Sequence, residues 1–405
     1  MRCVKSAVRC CGLSIPLVLA FVLSGCDQVG SVVDDVKSTV SGDAKETPET
    51  TTPPEAVPAA APQPPATNGP TPEQLVADFR KLKPSEITDS AIATLVASPE
   101  AAAEITELEI RTGQGFTGNG LSQLQAMKNL KSLAIPGAAI VAEQLSVLAQ
   151  IPSLTSIQLN ATKVNDTVME QLAALPNLES LNVAATAISP ASAAALARMN
   201  KLEVIDLQNT QVDDSVVQAL ASLPIRELNL SKTRITDASL PTIINMSTME
   251  SLNVSFTSVT GSAFKGASKM NLKVLSVGET PFGIDGFVAI KGMRSLEDLN
   301  VYRSGLVEHK SCNVFRSFPN LKTLNAGSNA ITNAGLEVFF KGHRTLETLN
   351  LGNQKGITDQ GLINLIGLKT LRVLNLYHTS CSAQGAAALK QKLPECKIVT
   401  NEGEF

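Results

Sequence analysis

Residues 374–385 read LNLYHTSCSAQG and hold the residue types of a thiol nucleophile and its base. His378 precedes Cys381 by three residues, and Asn375 stands just before them. A cysteine attacks as its thiolate, and the base that makes the thiolate must lie within hydrogen-bond reach. His309, His343, Cys312 and Cys396 complete the inventory of such groups beyond the N-terminus. Together they could serve covalent catalysis or hold a metal ion. Whether any two converge depends on where each side chain points, and so on the elements that carry them.

One pattern recurs from about residue 105 to the end. It is plain in LTSIQLNATKVNDTVMEQLAALPN from Leu154, LESLNVAATAISPASAAALARMNK from Leu178 and LEVIDLQNTQVDDSVVQALASLP from Leu202. Other copies start at Ile105, Leu130, Ile225, Met249, Leu272, Leu296, Leu321, Leu346 and Leu371, a period of 23–25 residues held through twelve starts. A fixed period in this range marks a solenoid. Offsets 0, 3 and 5 from each start are apolar, as in Leu178, Leu181 and Val183, and the last two alternate as a short strand with one buried face does. Offset 10 is apolar again (Val164, Ile188, Val212), and the Ser, Thr, Asn or Asp after it predicts a helix N-cap, as in Asp213-Asp214 and Thr236-Asp237. A helical stripe such as Val216, Leu220 and Leu223 closes the unit. Each copy therefore reads as strand, turn and helix. No unit can bury its own apolar face, whereas stacked units can. The predicted architecture is an α/β solenoid with a parallel sheet on the concave face and helices on the convex face. Composition agrees: aromatics are 3% and Trp is absent, so the core is built in thin aliphatic layers.

The pattern L-x-x-L-x-L-x-x-T-x-[IV]-[TS]-D resembles the leucine-rich repeat family, in its ribonuclease-inhibitor-like and cysteine-containing flavours. The match covers about three quarters of the chain. The copies at Ile105 and Leu130 depart most, with Gly113 and Ala138 where Thr is usual. The resemblance implies a horseshoe whose sheet face binds protein or peptide, and it supplies no catalytic residues.

The offsets answer the opening question. Cys381 falls at offset 10, a core position, whereas His378 falls at offset 7, on the edge of the concave face. The two are not expected to meet. Cys396 in LPECKI replaces an anchor leucine, Cys312 lies in a helical stretch beside core positions, and these thiols are expected to be free. His309, His343 and His378 occupy offsets 13, 22 and 7, so they face different sides and cannot share an ion. His343 takes a slot filled elsewhere by Leu175, Met293 and Phe318, and is expected to be a partly buried, hydrogen-bonded histidine. No enzyme, metal or cofactor is expected.

The concave face offers binding instead. Offset 4 carries Asn182, Asp206, Asn229, Asn253, Asn300, Asn325, Asn350 and Asn375, read first as a ladder of mutually bonded amides. Offset 6 is mostly small, except for Tyr302 and Tyr377, the two tyrosines of the chain. Arg303 and His378 follow them. Tyrosine and arginine are enriched at binding hot spots, so Tyr302, Arg303, Tyr377 and His378, with Asn300, Asn325, Asn350 and Asn375, form the candidate partner site. Glu107, Glu109 and Arg111 form a second patch at the N-terminal end.

The first 26 residues, MRCVKSAVRCCGLSIPLVLAFVLSGC, place Arg2, Lys5 and Arg9 before an apolar run from Leu13 to Leu23. That is the layout of a secretory signal, and the run is too short to span a bilayer. Leu23-Ser24-Gly25-Cys26 resembles the bacterial lipobox, which implies cleavage before Cys26 and its lipidation, so residues 1–25 read as the signal peptide. Residues 26–70 read as the lipidated cysteine and a Pro-rich linker too poor in large apolar groups to fold. Residues 71–104 read as an N-terminal helical cap and 105–405 as the repeat domain. The formal charge of −3 becomes −6 without the three N-terminal cations, and no Lys/Arg run exists, which argues against nucleic acid. The expected product is a binding module held by lipid on the outer side of a bacterial membrane, facing periplasm or cell surface. The alternatives are a structural envelope protein without a ligand and, last, an effector or enzyme adaptor.

Overall fold

The computed structural model describes residues 69–111, 115–306 and 314–405. Cys26, the signal and most of the linker lie outside these residues, as do Gly113, His309 and Cys312. No helix among the described residues is long and apolar enough to cross a membrane.

Among the described residues, fourteen strands follow one another in sequence order across one open sheet. They are β1 (Glu107–Glu109), β2 (Ser132–Ala134), β3 (Ser156–Gln158), β4 (Ser180–Asn182), β5 (Val204–Asp206), β6 (Glu227–Asn229), β7 (Ser251–Asn253), β8 (Val274–Ser276), β9 (Asp298–Asn300), β10 (Thr323–Asn325), β11 (Thr348–Asn350), β12 (Val373–Asn375), β13 (Lys397–Thr400) and β14 (Gly403–Glu404). β1 to β13 are parallel, and β14 folds back antiparallel on β13. The register is that of the repeat: Leu181 lies beside Ile157 and Ile205, and all three are buried. Their neighbours at offsets 2 and 4 face the concave side. Three helices, α1 (Pro72–Lys81), α2 (Asp89–Val96) and α3 (Pro99–Ala103), precede β1.

Offset 7 has a left-handed backbone in every copy from Leu130 on: Gly137, Ala161, Ala185, Asn209, Lys232, Phe256, Glu279, Arg303, Ser328, Asn353 and His378 all have positive φ. Ten of these are not glycine, although a side chain makes the conformation costly. Stacking supplies the compensation. The N–H at offset 7 donates to the offset 6 carbonyl of the next copy, as from Ala185 to Gln208 (2.7 Å) and from Glu279 to Tyr302 (2.8 Å). In the copy starting at Leu371, the His378 N–H donates instead to the side-chain oxygen of Asn401 at 2.7 Å. The next residue, usually Thr, is buried and turns its hydroxyl back to the offset 5 carbonyl, as from Thr186 to Val183 (2.6 Å). Asn329 and Gln354 replace Thr in two copies and donate with their amides to that carbonyl and to its equivalent one copy back.

Two further ladders join the copies. Asp214, at the start of one convex helix, accepts from the N–H of Thr236 at 2.8 Å and from its hydroxyl, and Asp359 does the same with Ser382. At offset 1, charges alternate in sign from Glu203 through Arg226, Glu250, Lys273, Glu297, Lys322, Glu347 and Arg372. Glu203–Arg226, Arg226–Glu250, Glu250–Lys273 and Glu297–Lys322 close at 3.6, 3.3, 2.8 and 2.7 Å. Each exposed pair contributes only a few tenths of a kcal/mol, but a network adds and also favours one stacking register.

The convex side departs from uniform helices. The copy starting at Met249 closes with two 3-10 turns, Gly261–Phe264 and Ala267–Lys269, separated by Gly266 at φ 95°. A left-handed residue cannot continue a helix. Here phenylalanines fill the layer: Phe264, Phe282, Phe287, Phe315 and Phe339 meet edge to face in series, with centroids 5.2–6.3 Å apart.

Candidate functional site

The asparagine oxygens of the sheet floor are engaged within the fold. Asn300, Asn325, Asn350 and Asn375 each accept with the side-chain oxygen from the N–H two residues on, at 3.0, 3.3, 2.9 and 2.8 Å. The Asn350 amide donates to the Asn325 oxygen at 2.9 Å, and the Asn300 amide to the Ser276 hydroxyl at 2.9 Å. These four residues hold the strand exits in shape, and their oxygens are already engaged. Small neighbours permit the packing: a methyl group on Gly327 would lie 3.2 Å from the Tyr302 ring.

The side chains with unspent contact area stand where the strands end. Tyr302 and Tyr377 are half-buried, and Arg303 and His378 are exposed. Arg303 reaches Glu279 of the preceding copy at 3.5 Å. The Tyr377 and His378 rings meet edge to face, centroids 4.2 Å apart. At about 4.8 Å per strand, the two tyrosines are roughly 15 Å apart, so each belongs to its own cluster. Phe256 extends the first cluster and was missed by the sequence reading. It sits at a left-handed offset 7 (φ 57°), is 50% exposed, and holds the Lys232 ammonium 5.0 Å from its ring centroid. A bulky residue at positive φ is costly, and half of this ring gains nothing from burial. Lys232, Phe256, Glu279 and Arg303 thus occupy one offset in four consecutive copies, beside Tyr302. The signal was available, since Phe256 is the one aromatic other than His378 at that offset.

The concave face also carries carboxylates held toward neutrality. Burial pushes Asp206, Glu227 and Asp298 above the usual carboxylate range, Asp298 up to about 6. Asp298 lies between Val274 and Thr323 in register, and among the described residues no side chain bonds or pairs with its carboxyl.

The nucleophile reading finds no support. Cys381 is 8% exposed, its sulfur directed to the Ile357 carbonyl at 3.8 Å, and burial pushes its thiol up. Cys396 is fully buried, its thiol pushed up to about 11 by the same cause. Both are free thiols. Among the described residues no three His, Cys, Asp or Glu gather as a metal site. His343 corrects one expectation. It is buried as its slot implies, but neither ring nitrogen has a hydrogen-bond partner among the described residues. The slot is shaped for Leu, Met or Phe and offers no acceptor, and burial holds the imidazole below its ordinary pKa.

At the N-terminal end, Glu107, Glu109 and Arg111 are exposed, and Arg111 pairs with Glu109 at 2.7 Å.

No protein-family model matches the chain, and no curated protein matches it. Solved structures do. The crystal structure of an internalin from Listeria monocytogenes superposes with a TM-score of 0.54 at 18% identity, covering 83% of this chain and 98% of that one. A leucine-rich repeat protein of Leptospira interrogans gives 0.45 at 14% identity, over 74% of this chain and 91% of that one. The repeat ectodomain of a plant receptor kinase from Arabidopsis thaliana, solved in complex with Casparian strip integrity factor 2, gives 0.46 at 13% identity, over 75% and 42%. With the register of thirteen parallel strands, the first of these likenesses shows the fold to be that of a leucine-rich repeat solenoid.

Proposed function

We propose that this chain is a lipid-anchored, extracytoplasmic module that binds a protein or peptide partner on its concave side. The observation that carries the reading is the row Lys232, Phe256, Glu279 and Arg303 with Tyr302 beside it. It puts an exposed ring, a half-buried ring and charges of both signs beside a floor whose asparagine oxygens are engaged. Aromatic and arginine anchors at the rim of a rigid floor are what a hot spot requires. Tyr377 and His378 supply a second contact. The anchor rests on Leu23-Ser24-Gly25-Cys26 and the tether after it, which would let the solenoid reach partners beyond the lipid surface. The internally bonded asparagines favour the second reading, a structural envelope protein with no ligand, and the strained exposed Phe256 speaks against it.

Replacing Cys26 by Ser should abolish lipid labelling and leave an unprocessed precursor. Normal labelling of that variant would end the anchor assignment. For binding, the lipid-anchored chain should retain one stoichiometric partner from extracytoplasmic extract. Tyr302→Ala with Tyr377→Ala should weaken that binding by about 2–4 kcal/mol, while Glu170→Ala with Gln218→Ala, on the exposed convex side, should not. Equal binding by the tyrosine double variant would leave the structural reading standing.

A further inference from the structure

The two ends of the sheet are finished differently. At the C-terminal end the chain adds a strand to itself: β14 pairs with β13, Ile398 and Phe405 exchange both backbone hydrogen bonds (3.1 and 2.9 Å), and Lys397 meets Glu404 at 2.7 Å across the pair. Phe405 packs on the core beneath. At the N-terminal end, β1 has β2 on one side and, among the described residues, no strand on the other. The bonds from Ser132 to the Thr106 carbonyl and from Ile110 to the Ala134 carbonyl fix the ladder, so Glu107 and Glu109 turn their N–H and C=O groups away from β2. No backbone group among the described residues bonds to them. Both ends of this edge are tied to the cap: the Arg111 N–H donates to the Pro84 carbonyl at 2.9 Å, and the Arg80 guanidinium to the Glu104 carbonyl at 3.2 Å. Between these ties lies a cleft of about 370 Å³, lined by Phe79, Leu82 and Ile87 from the cap and by residues 105–109. No residue of β2 lines it, which places it on the outer side of the strand.

We propose that this edge accepts a short extended peptide from another protein as an added strand, with basic and aliphatic side chains in alternation. Successive side chains of an added strand point to opposite faces. Those on the concave side come beside Glu107 and Glu109. Arg111 already answers Glu109, and Glu107 has no ion-pair partner among the described residues, so the matching position is Lys or Arg. The alternate side chain enters the cleft against Phe79, Leu82 and Ile87, where an aliphatic group fits. This is the arrangement of β14 on β13 with the charges exchanged. Main-chain bonds supply the affinity and the alternate pockets the selectivity. The site is separate from the tyrosine and phenylalanine rim and does not depend on it.

The test uses the full chain and two eight-residue peptides, one alternating lysine with valine and one alternating glutamate with valine. Amide hydrogen exchange should be fast at Glu107 and Glu109 in the free protein and slow with the lysine peptide, but not with the glutamate peptide. Glu107→Lys should reverse the preference between the peptides. Glu109→Pro removes an outward donor and no bond to β2, since proline is tolerated where an edge N–H faces outward. It should fold normally and weaken the lysine peptide about tenfold or more. Slow exchange at both residues in the free protein would show the edge already covered. That outcome, or binding of the lysine peptide without protection of these amides, overturns the proposal.

Discussion

Replacing Asp298 by Asn should stabilise the protein at neutral pH and leave it unchanged in acid. The carboxyl lies on β9 between Val274 and Thr323, with no bonding partner among the described residues, and burial alone lifts its pKa from 3.8 to about 6. The folded state therefore holds a proton that the unfolded state has released between these values. The stability this carboxyl contributes is fully present below pH 3.8 and is lost as pH rises through about 6. That rise corresponds to about 3 kcal/mol of destabilisation once the group is charged in both states. Asn keeps shape and polarity without the charge. Urea denaturation of both proteins at about pH 7.5 should give a gap of about 2–3 kcal/mol in favour of the variant, falling to about a third of that by about pH 4.5. If the Asp298→Asn variant is no more stable than wild type at that neutral pH, or the gap is independent of pH, the carboxyl is hydrated or answered.

Three other outcomes follow from the same structure. Cys381 should label slowly with thiol reagents in the native state and fast in denaturant. Cys381→Val should be tolerated, and Cys381→Asp should destabilise by several kcal/mol through an unpaired buried charge. His343→Leu should be neutral or stabilising in thermal melts at neutral pH. Its advantage should grow as pH falls below 6.5, because the lowered folded pKa of His343 lets the unfolded state take the proton first. Asn401→Ala should speed hydrogen exchange of the His378 amide and leave that of Ala185, inside the stack, unchanged.

The fold was legible because the repeat states one pattern twelve times. Leu181, Val183 and Val212 are buried where the offsets put them, and Asp213 and Thr236 cap convex helices as their positions imply. What stayed hidden depends on contacts between copies. The left-handed residue at offset 7 is written as Ala, Lys, Phe or Glu, and no residue type betrays it. The hydrogen bond from the next copy substitutes for the freedom of glycine, and that bond exists only once the strands are stacked. The alternating charges at offset 1 are visible in the chain but become a ladder only in register. His343 was read as hydrogen-bonded because histidine usually is, whereas its slot is built for an apolar side chain. Nothing in the residue types marks Phe256 as exposed, since its exposure follows from the left-handed turn of the strand exit. The binding assignments to Asn300, Asn325, Asn350 and Asn375 rested on an outward offset. Their oxygens are engaged by the backbone two residues on, a role that an outward offset does not reveal.

Site-specific photocrosslinking tests the central claim most directly. A photoreactive residue at position 256, 302 or 377 of the lipid-anchored chain should join it to one and the same protein, and the same group at 170 or 218 on the convex side should not. Equal crosslinking from both sides, or none from the rim positions, would contradict a partner bound on the concave side.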